Sequence, residues 1–190
     1  MDSKISYSPE IINSHQTIVD NNWLKLKKNN NFIYSERKGI DSIAFILLDI
    51  NVSTEKRVGL INEYKNPIDK FLTTAFGGSI DDEKYYDDLR ILVIDEVMEE
   101  AGFEIGFENI NYYGKVFCST QMNQFVHLFT VQVDRSKQIE RTTKNPIELK
   151  QSIVWMSLKE VSELNDWKSN TILFKRMLKN DTAVIIKKGE

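Results

Sequence analysis

The chain has one cysteine, Cys118, two histidines, His15 and His127, and three prolines in 190 residues. A single thiol cannot close an intrachain disulfide or build a cysteine zinc site. The two histidines lie far apart in sequence, which argues against a histidine-rich metal centre. Long apolar runs are missing as well. The most apolar stretch, Ile43 to Leu48, is six residues before Asp49, whereas a membrane span needs about 20. Charge of one sign is also lacking: 25 Lys and Arg face 28 Asp and Glu, a formal net charge of -3. That balance excludes a strongly basic nucleic-acid binder and a polyacidic tail. The opening residues 1–12 contain no basic patch followed by an apolar stretch, so no signal peptide is expected and the expected location is cytoplasmic.

What is present is 41% hydrophobic and 11% aromatic residues, enough for one self-sufficient core. Residues 17–27 and 31–36 read as two extended stretches around a polar turn near Asn29 and Asn30. Residues 42–51 form a continuous apolar run rich in β-branched side chains, which reads as a buried strand. Further strands are expected over 58–64, 73–76, 110–117, 125–133 and 152–156. A helix is expected over 89–101, with Gly102 as its stop. Residues 158–164 and 170–179 read as helical, the second with Ile172, Leu173, Phe174, Met177 and Leu178 on its apolar side. Strands, one helix, strands and closing helices make a mixed α/β sandwich. A small β-hairpin lobe over 1–40 precedes a larger domain over 41–190.

The chemistry concentrates in the helix over 89–101. Glu96, Glu99 and Glu100 stand at i, i+3 and i+4 and would share one face. Ile94, Val97, Met98 and Ala101 lie on the other side and anchor it in the core. Three clustered carboxylates repel by a few tenths of a kcal/mol per pair, and a hard divalent cation taking oxygen ligands turns that repulsion into binding. Other candidates are weaker. Cys118 reads as buried structure, His127 as a packed or hydrogen-bonded histidine, and Lys65 and Arg57 as solvated cations near turns. Trp23, Phe32 and Tyr34 read as core or interface aromatics.

Residues 95–103, with Glu96, Val97, Glu99, Glu100, Gly102 and Phe103, resemble the end of the Nudix box, R-E-U-x-E-E-x-G-U, where U is bulky and apolar. Six of its seven specified positions match; Asp95 stands where the family has Arg. The loop between Gly78 and Asp95 is three residues longer than the family's, so the first box glutamate falls on Asp87, with Glu83 as the alternative. Val58 to Pro67, Thr74 to Asp81, Val116 to Phe129 and Val154 to Val161 are similar, in the same order, to segments of ADP-ribose pyrophosphatase-like Nudix enzymes. The resemblance implies an α/β/α sandwich with a mixed sheet and an N-terminal β lobe that dimerises. It also implies Mg²⁺- or Mn²⁺-dependent hydrolysis of a nucleoside diphosphate linked to another group. ADP-ribose or a nucleotide sugar is favoured, capped RNA stays open as a substrate, and a non-hydrolytic nucleotide- or partner-binding module is the alternative. The metal ligands implied are Glu96, Glu99, Glu100, Asp87 and the carbonyl of Gly77; the catalytic residues implied are Glu99 and, as general base, Glu148.

Overall fold

The computed structural model describes residues 3–10, 14–51, 55, 57–143, 146 and 148–187, with the side chains of Glu148 and of residues 180–187 outside that description. Its centre is β4 (Ser42–Asp49), the apolar run of the sequence. β4 lies parallel to β9 (Met122–Val133) along its whole length, Ser42 opposite Val126 and Asp49 opposite Val133. A strand covered on both faces has no polar face, which is why this run does not alternate. Ile43, Phe45 and Leu47 enter one apolar cluster and Ala44 and Ile46 enter the other. The sheet is thus the middle layer of a sandwich.

On its other edge β4 changes partner. Residues 42–45 pair antiparallel with β7 (Phe76–Ser79), whereas Leu47 and Leu48 pair with β5 (Val58–Lys65). β5 also pairs with β6 (Lys70–Thr74) and with β10 (Ser152–Met156), and β8 (Ile110–Ser119) pairs with β9. The expected strand over 73–76 is therefore two strands. β6 and β7 break at Ala75, whose amide donates to Asp166 Oδ2 at 2.9 Å instead of to a strand.

One face is covered by α1 (Leu89–Glu96) and the turn that continues it to Ala101, through Leu89, Leu92, Val93, Val97 and Ala101. The opposite face carries α2 (Leu158–Ser162) and α3 (Trp167–Lys187), through Val161, Ile172 and Leu173. α3 is longer at both ends than the sequence pattern implied. Its expected apolar side is only partly used: Phe174, Met177 and Leu178 are exposed. Cys118 is half-buried rather than buried, against the second cluster.

The N-terminal region is a three-stranded meander, not a hairpin: β1 (Gln16–Asp20), β2 (Leu24–Asn29) and β3 (Phe32–Arg37). Asn21 splits the first expected stretch, because its Oδ1 accepts from the amides of Trp23 and Leu24 and turns the chain. At the next turn Asn30 takes φ 54°, a conformation Asn tolerates better than other side-chain-bearing residues. β3 joins the main sheet at one parallel bridge, Ser35 to Met122. Lys27 and Glu36 form a buried ion pair at 2.8 Å across β2 and β3. Tyr34 is buried, while Trp23 and Phe32 stay exposed.

Candidate functional site

Asp88 starts α1. Its carboxylate accepts from the Arg90 amide at 3.1 Å and takes the Arg90 guanidinium in a forked pair at 2.7–3.1 Å. Burial opposes ionisation of Asp88, but the Arg90 contacts and the amide of Ile5 outweigh it and hold its carboxyl below the ordinary range. The helix start is thereby pinned to the sandwich and to the N-terminal segment.

At its other end the helix widens. Val97–Ala101 is a π turn, closed by Gly102 at φ 68°. Such turns are rare and gather at functional sites. The sequence expectation that Glu96, Glu99 and Glu100 share one face assumed the α-helical repeat. In the wider turn Glu96 and Glu100 are half-buried, whereas Glu99 is exposed.

Gly78 explains where Glu96 goes. A Cβ on Gly78 would lie 2.2 Å from Glu96 Oε1, so the carboxylate occupies the space that a side chain on β7 would fill. Glu100 and Gly77 line one cleft of about 200 Å³, together with Glu63 and Lys65 of β5 and Lys168 of α3. Arg37 lines its rim, and its guanidinium donates to Ser79 Oγ at 3.3 Å. The cleft opens where β4 exchanges β7 for β5. Lys65 is paired with Glu63, which also accepts from Thr74 Oγ1 at 3.3 Å. Burial pushes the Lys168 ammonium below its ordinary value, and the charge of Lys65 pushes the same way.

Asp95, the residue that departs from the box, does not face this cleft. Its carboxylate accepts from Tyr85 Oη at 3.0 Å and lies 3.6 Å from Lys84 Nζ. Both partners belong to the short turn Glu83–Tyr85, inside the lengthened loop. The loop Glu83–Tyr85 and Asp95 are thus joined by contact. The loop carries a cation to the acid, on the outer side of the helix.

Arg141 was not singled out by the sequence. Its guanidinium donates to the carbonyls of Glu100 and Leu149, both at 3.4 Å. It ties the π turn to the turn Glu148–Lys150 through the Leu149 carbonyl. Asp87 and Glu83 are both exposed and line no part of the cleft. Arg57 is exposed as expected, while Lys65 belongs to the cleft rather than to solvent. Lys168 and Arg37 were also missed, since a single cation in an ordinary context carries no motif.

Among the described residues no three His, Cys, Asp or Glu side chains stand close enough to share one ion as placed. The donor set is nonetheless of the right kind for a hard cation: all oxygen, with Glu96 against Gly78 and Glu100 in the cleft with Gly77. The fit is therefore one of ligand type and neighbourhood.

These features define an α/β fold, a mixed sheet between two helical layers. No family model matches the sequence, and no curated protein sequence matches it. Among solved structures the chain is similar to one titled "Crystal structure of ADP compounds hydrolase", with a TM-score of 0.61 and 17% identity, over 94% of this chain and 98% of that one. At that identity the likeness establishes the fold.

Proposed function

We propose that the chain is a Nudix-type hydrolase acting on a nucleoside diphosphate linked to another group, with ADP-ribose or a nucleotide sugar favoured. The observation that carries this reading is the cleft itself: Glu100 of the acidic helix and the side-chain-free Gly77–Gly78 strand meet there with cations of β3, β5 and α3. A diphosphate and its cation need this combination of positive charge and oxygen ligands. The fold of an ADP compounds hydrolase supports the same class.

In this reading Glu96, Glu99, Glu100 and the Gly77 carbonyl would hold Mg²⁺ or Mn²⁺, which would supply neutralisation of phosphoryl charge and a more acidic water. The chain does the rest. Gly78, having no Cβ, leaves the space beside β7 to the Glu96 carboxylate, which brings that acid up to the strand lining the cleft. Arg37 and Lys65 neutralise its oxygens from the sheet side. Glu148 takes the proton of the attacking water, and Arg141 keeps its turn beside Glu100.

The deciding experiment is incubation of the purified chain with Mg²⁺ and a panel of ADP-ribose, nucleotide sugars, nucleoside triphosphates and capped RNA, with product analysis. AMP and ribose 5-phosphate from ADP-ribose are expected. Pyrophosphate released from a triphosphate instead would shift the substrate class. Absence of turnover on the whole panel leaves a nucleotide-binding module.

The meander of β1 to β3 is proposed to dimerise the chain. Ile18, Val19, Trp23, Phe32 and Ile33 are all exposed on it, an apolar surface of the kind that marks interfaces. Sedimentation at micromolar concentration should give twice the 22.1 kDa chain mass. A species of one chain mass would refute this assembly. Among the described residues no helix is long and apolar enough to cross a membrane.

A further inference from the structure

Lys168 is held where a lysine is least welcome. It stands in the first turn of α3, a helix of 21 residues, and the N-terminal end of a helix dipole repels a cation. It is half-buried, burial disfavours its charged form, and Lys65 lines the same cleft. Among the described residues its ammonium makes no hydrogen bond and no ion pair. The two nearby acids that attract it are committed elsewhere. Glu63 is engaged by Lys65 and Thr74, and Asp166 accepts from the amides of Ala75 and Ser169 at 2.9 and 3.0 Å.

Each of these unfavourable placements reverses when an anion enters the cleft. We propose that Lys168 is a binding residue for the phosphate oxygens of the ligand, closing the cleft from the α3 side opposite Glu100. The ligand class is a diphosphate, and the assignment builds on the nucleoside-diphosphate reading of the cleft above. In that arrangement one helical layer brings acids to the cleft and the other brings the cation. A diphosphate spanning the cleft meets both.

The test is calorimetric titration of inorganic pyrophosphate and of ADP into the full chain in EDTA, so that no metal bridges them, for wild type, Lys168→Met and Lys168→Arg. Lys168→Met is expected to weaken both ligands about tenfold or more, as loss of one charge-assisted contact implies, and Lys168→Arg to retain most of the affinity. The melting temperature of ligand-free Lys168→Met should equal or exceed that of wild type, which separates a binding defect from misfolding. Wild type that binds neither ligand, or Lys168→Met that binds both as wild type does, overturns the assignment. The two readings fail separately. ADP binding that depends on Lys168 in a chain without turnover removes the hydrolase and keeps the anion site. ADP-ribose turnover with an unchanged kcat/KM in Lys168→Met keeps the hydrolase and removes the role of Lys168.

Discussion

Glu100→Gln is expected to lower metal-dependent hydrolysis of ADP-ribose by on the order of 100-fold or more, as loss of a charged oxygen ligand beside the reacting group implies. The substitution keeps the shape of the side chain and removes its charge, so the fold should persist. Thermal stability in EDTA should hold or rise slightly, because the repulsion among Glu96, Glu99 and Glu100 is relieved by a few tenths of a kcal/mol per pair. Glu99→Gln should cost less, since Glu99 is exposed and lies outside the cleft. The assay is initial rate against Mg²⁺ concentration for the three proteins. A wild-type rate from Glu100→Gln would sink the assignment of this helix as the metal-binding element. A larger loss from Glu99→Gln would mean that the π turn rewinds when the metal binds.

Acid is expected to begin destabilising the chain as the pH falls below about 6.5, before its ordinary carboxylates protonate. His127 is buried in the sheet, its Nδ1 within 2.9 Å of Tyr112 Oη and its ring edge-on to Tyr7. Burial, with help from the charge of Lys115, depresses its pKa from 6.5 to about 4. The unfolded chain therefore takes up this proton first. The stabilisation is complete above pH 6.5 and is lost as the pH falls toward 4, about 3 kcal/mol in all. Asp41, whose Oδ2 lies 4.0 Å from His127 Nε2, has the opposite sign. Burial raises its carboxyl above the ordinary value. Its protonation favours the folded chain and offsets part of the loss at the acid end. Urea unfolding at pH 7 and pH 4.5 should show the drop in wild type and a much smaller one in His127→Gln. Equal drops in the two proteins would place the acid sensitivity elsewhere.

Much of this architecture is legible in the sequence because its signals are local. The run Ile43 to Leu48 reads as a strand covered on both faces, and β4 is one. Gly102 reads as a helix stop, and it closes the turn in the left-handed conformation that Gly adopts without strain. What stays hidden depends on distance. The π turn buries Val97 and Ala101 in the core, and a repeat of 3.6 residues places Glu99 on the wrong side. The partners of Asp95 lie ten and eleven residues upstream, in a loop whose extra length gave no hint of purpose. Lys168 and Lys65 line one cleft through contacts distant in sequence, among them the bond from the Ala75 amide to Asp166, 91 residues away in the chain. No periodicity reports such a contact.

That docking has a consequence for cooperativity. The cleft takes its acidic wall from the helix on one face of the sheet and a basic wall from the helix on the other. Neither half of the molecule contains the whole of it. A partly folded intermediate that retained α1 on its strands would keep the carboxylates and lose the lysine; one that retained α3 would do the reverse. On the proposed reading, a diphosphate bound across both walls would stabilise the native state as a unit. The hydrogen bond from the Ala75 amide to Asp166 Oδ2 joins the start of α3 to the strands lining the cleft, beside the packing of Ile172 and Leu173 and the bond from Lys175 to the Tyr113 carbonyl.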